Sequence, residues 1–187
     1  PAANSTELFR VTAHLGVQAA DALAHAHSLA VVHRDIKPAN LLVDARGDLW
    51  VTDFGLARLR EDGDLTMTGD VVGTYRYMSP EQALGQHGVV DHRTDIYSLG
   101  ATLYELLTLR PVFDGHRRED LVSAVVSREP VPPRRVNRLV PPDLETIILK
   151  ALAKDPRDRY PAAEDMADDL RRFLESRPIR AKRPTVI

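Results

Sequence analysis

The chain has 187 residues, of which 43% are apolar and 28% charged, with a formal net charge of −2 and no cysteine. This length and composition suit one globular domain, and the balanced charge gives no reason to expect nucleic acid or an anionic membrane as a partner. Without cysteine, the chain cannot use a disulfide scaffold, a thiol nucleophile or a cysteine-ligated zinc.

The first predicted element is a long helix over residues 5–29. Leu8, Val11 and Leu15 begin an apolar stripe whose members recur at steps of three and four residues, which is the period of one helix face. A polar loop over residues 33–40 follows this helix.

The next segment predicts a small β-hairpin. Two short apolar runs, Leu41–Val43 and Leu49–Val51, flank a turn at residues 44–47. Residues 53–81 are rich in glycine, threonine and aspartate and show no sustained period, which favours a long functional loop.

The second half of the chain is predicted to be helical. Residues 96–109 are apolar almost all round, which indicates a helix at the domain centre. Three more helices are predicted over residues 120–126, 142–153 and 162–174. Five prolines within residues 128–142 predict a surface loop. We expect one domain over residues 1–176, followed by a basic exposed tail at residues 177–187.

Several polar motifs follow one another in the two loops. Residues 33–40 read His-Arg-Asp-Ile-Lys-Pro-Ala-Asn, and Asp53-Phe54-Gly55 comes thirteen residues after Asn40. Further motifs follow, in the order Gly73-Thr74, Ser79-Pro80-Glu81 and Asp95. Together they resemble the catalytic loop, the metal-binding loop and the end of the activation segment of protein kinases. The resemblance extends over residues 5–174 and is strongest to bacterial serine/threonine kinases of the eukaryotic-like type.

This resemblance implies a mainly α (α+β) fold, the C-terminal lobe of a kinase: a helical bundle with a small β-hairpin at the catalytic loop. In the family a glycine-rich loop, a strand lysine and its glutamate partner precede the catalytic loop. Here the residues before His33 read as one helix. We therefore expect the N-terminal lobe to be absent from this chain. That lobe would be a missing partner from the same polypeptide, and without it we expect the chain to turn over little substrate by itself.

The resemblance also assigns the reacting groups. Phosphoryl transfer depends mainly on positioning and on charge stabilisation. Asp35 matches the base that orients the attacking hydroxyl, and Lys37 matches the lysine that touches the migrating phosphate. Thr74 matches the residue whose hydroxyl bridges that base and that lysine.

The expected cofactors are ATP and Mg²⁺, with Mn²⁺ as an alternative. Asn40 and Asp53 match the two metal ligands of the family, and amide and carboxylate oxygens are suitable donors for such a cation. Leu42 resembles the apolar residue that packs under the adenine ring.

Other residues resemble structural supports of the site. His33 and Phe54, the latter followed by Gly55, resemble members of the hydrophobic spine that aligns the two lobes. Asp95 resembles a carboxylate that binds the catalytic-loop backbone, and Glu81 and Arg159 resemble a buried ion pair beneath the activation segment. The remaining histidines show no metal-ligand spacing.

A regulatory switch is also implied. Arg34 matches an arginine that pairs with a phosphorylated activation loop, and Thr66 and Thr68 lie where bacterial relatives carry a pair of phosphorylated threonines. A phosphate group adds about −1.5 to −2 charges and would pair with the arginine. The alternative is a threonine-rich loop in contact with solvent.

The expected function is that of a serine/threonine protein kinase acting on a protein substrate. The alternatives are a non-catalytic binding or scaffold module and a small-molecule phosphotransferase, the latter disfavoured by Ser79-Pro80-Glu81 and Arg159. With neither a signal peptide nor an apolar run of about 20 residues, we expect a cytoplasmic location with no membrane segment in this chain. The basic tail also permits the cytoplasmic part of a membrane-anchored kinase.

Overall fold

The structure, a computed structural model, describes residues 2–54, 75–86, 90–115 and 117–182, and for residues 2–4 only the backbone. Helices dominate the described part of the chain, and two short strands form an antiparallel sheet. The elements are α1 (Ala2–Ser28), β1 (Leu41–Val43), β2 (Leu49–Val51), α2 (Pro80–Ala83), α3 (Arg93–Thr108), α4 (Arg118–Ser127), α5 (Pro133–Val136), α6 (Pro142–Ala151) and α7 (Ala163–Leu174). Short 3₁₀ turns lie at Pro38–Asn40 and Pro156–Asp158.

Helix α3 is the central element of the fold, as its apolar sequence predicts. All but three of its sixteen residues are buried. It crosses α6 so closely that a Cβ at Gly100 would lie 2.8 Å from the Cβ of Ala151. The helix ends at Leu109, which adopts a left-handed conformation with φ of 56° and donates its N–H to the Glu105 carbonyl. The described core therefore forms around α3.

Helix α1 packs along α7 and α3. Ala19, Ala20 and Leu23 are fully buried on its inner face. Gly16 permits the close approach, because a Cβ there would meet side-chain atoms of Leu103 and Leu170 at 3.0 Å. The first and last long helices thus pack against each other beside the central one.

The proline-rich connection contains a short helix that the sequence did not predict. Pro133 starts α5, because a proline has the backbone angle required in a first helical turn and needs no partner for an N–H. The next N–H, that of Arg134, donates to Glu145 Oε2 of α6 at 2.8 Å. The expectation of a continuous loop over residues 128–142 is therefore wrong at this point.

The segment after α7 also differs from the expected exposed tail. The buried carboxylate of Asp169 accepts hydrogen bonds from Arg180 N at 2.7 Å, from Ala181 N at 2.9 Å and from the Tyr160 hydroxyl at 3.0 Å. Ala181 is only 8% exposed, and Ile179 packs against the core. The prediction of a tail that leaves the domain after residue 176 is wrong for residues 179–181, and residues 183–187 lie outside the described part.

The hairpin forms as predicted and is fastened to α1. Its strands pair Leu41 with Val51, Leu42 with Trp50 and Val43 with Leu49. The side chain of Gln18 donates to the Gly47 carbonyl at 3.0 Å and accepts from Leu49 N at 2.8 Å, so both ends of one amide bind the same turn and strand. Among the described residues, no helix is both long and apolar enough to cross a bilayer.

Replacing Asp169 with asparagine should lower the free energy of unfolding by about 2–4 kcal/mol. An amide has one acceptor oxygen where three donors now converge, and each buried donor left unpaired costs about 1–3 kcal/mol. Chemical denaturation monitored by circular dichroism would measure the loss. Asp168→Asn is the matched control, because this neighbour makes only solvent-accessible ion pairs with Arg171 and Arg180. Equal stability of the two variants would contradict the role given to Asp169.

Candidate active site

The hairpin brings the two polar loops together. Asn40 directly precedes β1 and Thr52 directly follows β2, and Thr52 N donates to the Asn40 carbonyl at 3.0 Å. Because the strands are antiparallel, the end of the 33–40 loop and the start of the loop at residue 53 meet at the same end of the hairpin. Asp53 therefore leaves the sheet immediately beside the backbone of Asn40.

Asp35 in the 33–40 loop contacts both Lys37 and Asn40. Lys37 Nζ lies 2.9 Å from Asp35 Oδ2. Asn40 Nδ2 donates to the Asp35 carbonyl at 2.7 Å and approaches the same carboxylate oxygen at 3.3 Å. The side chains of Asp35 and Lys37 are 17% and 16% exposed, so the carboxylate is held in place and still reaches solvent.

The oxygens near this cluster fit a divalent cation. The Asn40 amide uses its nitrogen for Asp35, which leaves its Oδ1 as the atom able to act as a ligand. Asp53 is exposed at the edge of the hairpin, with a left-handed φ of 64°. Among the described residues no three histidine, aspartate or glutamate side chains form a metal site. A cation bound here would complete its ligand set with phosphate oxygens or water, as Mg²⁺ usually does.

Asp95 holds the backbone of the 33–40 loop. Its buried carboxylate accepts from His33 N at 2.9 Å and from Arg34 N at 2.7 Å, so the contact expected of Asp95 is present. Arg34 has a φ of 69°, a conformation that costs a residue with a side chain about 1–3 kcal/mol. Gln82 adds a bond from Nε2 to the Arg34 carbonyl at 2.8 Å. These bonds fix the strained peptide just before Asp35.

Sequence reasoning missed a third partner of Asp95. His27, near the end of α1, places Nε2 2.8 Å from Asp95 Oδ2. Its ring lies 5.4 Å from that of His92, between centroids, and its Nδ1 is buried with no hydrogen-bond partner in the described structure. In the sequence, His27 is one of the histidines that show no metal-ligand spacing. Its contact with Asp95, 68 positions away, is not visible in a local pattern. A polar residue on the buried side of an amphipathic helix was the available signal.

His33 and Phe54 contact each other. Their ring centroids are 4.6 Å apart in an edge-to-face arrangement. His33 is fully buried, and its Nδ1 accepts from Asp35 N at 3.2 Å, so its Nε2–H donates to the Thr52 carbonyl at 2.7 Å. One imidazole thus links the two polar loops.

Glu81 and Arg159 form the buried ion pair that the resemblance implies. Two nitrogens of the guanidinium contact the two carboxylate oxygens at 2.8 Å each, with side chains 0% and 5% exposed. Burial alone would raise the pKa of Glu81, but hydrogen bonding and charge from Arg159 bring the pKa below its usual value.

The remaining donors of Arg159 bind backbone carbonyls. They reach Ala153 at 2.8 Å, Lys154 at 3.0 Å and Arg93 at 3.1 Å, which satisfies all the N–H groups of the guanidinium. Glu81 belongs to α2, whose start is capped by Ser79 and Gln82. The ion pair therefore ties α2 to the ends of α3 and α6.

The other predicted site residues are less defined. Leu42 lies on the hairpin beside Trp50, and the two side chains are 54% and 60% exposed. Gly55, Thr66, Thr68 and Thr74 lie outside the described residues.

Comparisons with known proteins all find protein kinases. A family profile described as protein kinase domain matches residues 8–170. The serine/threonine-protein kinase PrkC of Bacillus subtilis is 44% identical over 169 residues, which cover 90% of this chain and 26% of the relative. A probable serine/threonine-protein kinase of Streptomyces coelicolor is 44% identical over 162 residues, covering 86% and 24% of the two chains. The serine/threonine-protein kinase PknB of Mycolicibacterium smegmatis is 44% identical over 159 residues, covering 84% and 25%. The chain thus spans about a quarter of the length of these curated relatives.

Removing one member of the buried ion pair should be strongly destabilising. Arg159→Met leaves the Glu81 carboxylate uncompensated, which typically costs about 3–5 kcal/mol. Arg157→Met is the control, since that side chain is 83% exposed and pairs only at the surface. Unfolding in urea would measure both. The double variant Glu81→Gln with Arg159→Met should lose less than the sum of the single losses, and strictly additive losses would argue against direct coupling.

Truncation of His27 should affect the loop that Asp95 holds. His27→Ala removes one hydrogen bond to a buried carboxylate, which is worth about 1.5–3 kcal/mol when a charged group is involved. Amide hydrogen exchange at His33 and Arg34 should accelerate together with that loss. His25→Ala, on the exposed side of the same helix, should leave both quantities unchanged. Unaltered exchange in His27→Ala would show that Asp95 holds the loop without help.

Proposed function

The chain belongs to the protein kinase family, and from that membership we propose that it is the large C-terminal lobe of a serine/threonine protein kinase. In this proposal the γ-phosphoryl group of ATP is transferred to a hydroxyl group of a protein substrate. The observation that carries it is the contact of Asp35 with both Lys37 and Asn40, on a loop whose backbone Asp95 holds in a strained conformation. The names of the relatives support the serine/threonine class.

Asp35 is the proposed base. Its carboxylate is partly exposed, so a substrate hydroxyl can approach it, and the contacts from Lys37 and Asn40 restrict its orientation. A carboxylate in this position accepts a hydrogen bond from the hydroxyl and takes up its proton as the new bond to phosphorus forms. The rigid loop supplies the alignment, which is the main protein contribution to phosphoryl transfer.

Lys37 supplies positive charge beside the base. Its ammonium group forms an ion pair with Asp35, so it is within reach of a phosphate that approaches the same carboxylate. We propose that it stabilises the charge of the transferred group and that Thr74, outside the described residues, assists in aligning base and lysine. Asn40 Oδ1 and the Asp53 carboxylate would hold Mg²⁺ or Mn²⁺, which supplies charge neutralisation on the phosphate oxygens when bound.

The nucleotide base would lie on the exposed hairpin face. Leu42 presents an apolar side chain next to the edge from which Asp53 emerges, so a purine over Leu42 would direct its phosphates toward Asn40 and Asp53. We propose that a small lobe completes this site from the other side. The neighbouring exposed side chains of Leu42 and Trp50, which are paired across the hairpin, support that expectation, since an exposed apolar patch favours a covering partner.

Arg34 carries the proposed regulation. Its backbone is fixed by Asp95 and Gln82, which holds the point from which the side chain extends directly before the base. We propose that phosphate on Thr66 or Thr68, which lie outside the described residues, pairs with the Arg34 guanidinium.

Replacement of the proposed base tests the function directly. Asp35→Asn in the intact protein, with ATP and Mg²⁺, should reduce phosphate transfer to a protein substrate by at least about 100-fold, because general-base assistance contributes about 10²–10⁴. The control is Asp48→Asn at the exposed hairpin turn, which should retain wild-type turnover. Unfolding curves of both variants separate a chemical effect from a folding defect. Equal phosphate incorporation by Asp35→Asn and the wild type would refute the kinase proposal and favour a binding or scaffold module.

A further inference from the structure

Four arginines with exposed side chains have no ion-pair partner among the described residues. They are Arg110, Arg134, Arg135 and Arg138. Several other surface arginines are paired, as Arg117 is with Asp120 and Arg157 with Asp155. The proposed kinase chemistry uses none of the four, so their charge is available to a partner outside the chain.

The fold brings these arginines together at the end of α3. The Asn137 amide donates to the Leu107 carbonyl in the last turn of α3 at 3.3 Å, and the Tyr104 hydroxyl donates to the Val131 carbonyl at 3.0 Å. The segment over residues 131–138, which carries three of the four arginines, therefore lies against the end of this helix. Arg110 follows the same helix end, two residues after its last residue.

Two leucines expose apolar side chains among these arginines. Leu109 directly precedes Arg110 and is 82% exposed, the highest value among the large apolar side chains of the described residues. Leu139 directly follows Arg138 and is 59% exposed. Together with the four arginines, these leucines form one surface, the basic end.

The backbone of Leu109 indicates that its side chain is not there for folding. Its φ of 56° lies in the left-handed region, where a helix end usually has glycine or asparagine. A leucine at such a position gains little from burial, because most of its side chain is in contact with solvent. A contact with another surface would use this side chain.

Acidic residues on the neighbouring segments offset only part of the charge. The carboxylate of Glu105 accepts from the Tyr77 hydroxyl at 2.8 Å, and that of Glu145 is buried and accepts from the backbone N–H of Arg134. Asp143, in the first turn of α6, is exposed. The basic end therefore keeps an excess of positive charge, although the whole chain has a net charge of −2.

We propose that the basic end docks on the surface of an anionic lipid bilayer. Arginines close to such a surface are attracted by the negative potential of the lipid headgroups. Exposed leucines between them enter the boundary between headgroups and acyl chains, which adds apolar burial to the electrostatic attraction. The attraction depends on the local concentration of arginines rather than on the overall charge of the chain.

The apolar residues favour a lipid surface over other anionic partners. Surfaces that bind single-stranded nucleic acid stack the bases on aromatic side chains, whereas the exposed apolar residues of the basic end are leucines. An acidic peptide would be recognised by the arginines alone. A bilayer also accommodates a protruding leucine such as Leu109, because its interfacial region is soft and partly apolar.

Docking in this way leaves the proposed catalytic loop free. Asp95, which holds the 33–40 loop, is in the first turn of α3, and the basic end lies beyond the last turn. A helix of this length spans about 24 Å. The loop would therefore face away from the bilayer and stay accessible to a protein substrate.

The test measures binding of the intact folded protein to lipid vesicles by co-sedimentation. Vesicles of phosphatidylcholine with about 30% phosphatidylglycerol should bind at least about tenfold more tightly than vesicles of phosphatidylcholine alone, because each arginine at an anionic surface contributes about fivefold. Raising the salt concentration from about 0.05 M to about 0.5 M should weaken the binding, since salt screens exposed charges.

A pair of charge variants locates the contact. The double variant Arg134→Gln with Arg135→Gln should weaken binding to the anionic vesicles by about 20-fold. Arg46→Gln with Arg157→Gln is the matched control, because it removes the same charge from two positions that are 81% and 83% exposed elsewhere on the surface. Screening by salt should keep its loss below about twofold.

A second pair of variants tests the apolar contribution. Leu109→Asn removes the apolar side chain at a backbone conformation that asparagine adopts readily, and it should weaken binding by about fivefold or more. Leu29→Asn is the control, because Leu29 is 64% exposed just after α1, at the end of the frame where His27 contacts Asp95. It should bind like the wild type, and circular dichroism should show all variants folded.

Three results would overturn the proposal. The first is equally tight binding to neutral and anionic vesicles, and the second is an equal loss of binding in the two double variants. The third is a failure to bind anionic vesicles together with binding of polyglutamate or of a DNA duplex through Arg134 and Arg135, which would assign the basic end to another anionic partner.

Discussion

The carboxylate of Asp95 is the interaction on which the site depends. It is buried at the start of the central helix and accepts from two consecutive backbone N–H groups of the 33–40 loop and from His27. Without these hydrogen bonds, the left-handed backbone of Arg34 would lose its main support, and the peptide before Asp35 would relax. The position of the proposed base is therefore set by a residue about 60 positions later in the chain.

Buried acids fasten this fold at three places. Asp95 holds the loop, Glu81 holds Arg159 beneath α2, and Asp169 holds the segment after α7. In each case several donors converge on one carboxylate, which offsets the cost of taking a charge out of water. The polar connections, rather than the helices themselves, thus determine how the functional loops are placed on the helical frame.

The sequence predicted those features that depend on local pattern or on complete motifs. The hairpin, the central helix and the long helices follow from periodicity, and the contacts of Asp95 and of Glu81 with Arg159 follow from the family resemblance. His27 and the anchoring of residues 179–181 were not predicted, because each depends on a hydrogen bond to a buried acid that no motif or apolar period marks. Local chemistry suggested a loop for α5 and an exposed tail for 179–181, and tertiary hydrogen bonds to Glu145 and Asp169 overrode it.

Trp50 gives the hairpin an optical property. It is the sole tryptophan of the chain, and its indole is 60% exposed on the same hairpin face as Leu42. Its side chain also contributes to lowering the pKa of Asp44 at the turn, behind backbone hydrogen bonds from Arg46 and Asp48, which places the indole near that carboxylate. Tryptophan emission from this chain therefore originates at one surface, and its wavelength will shift whenever that surface exchanges water for another molecule.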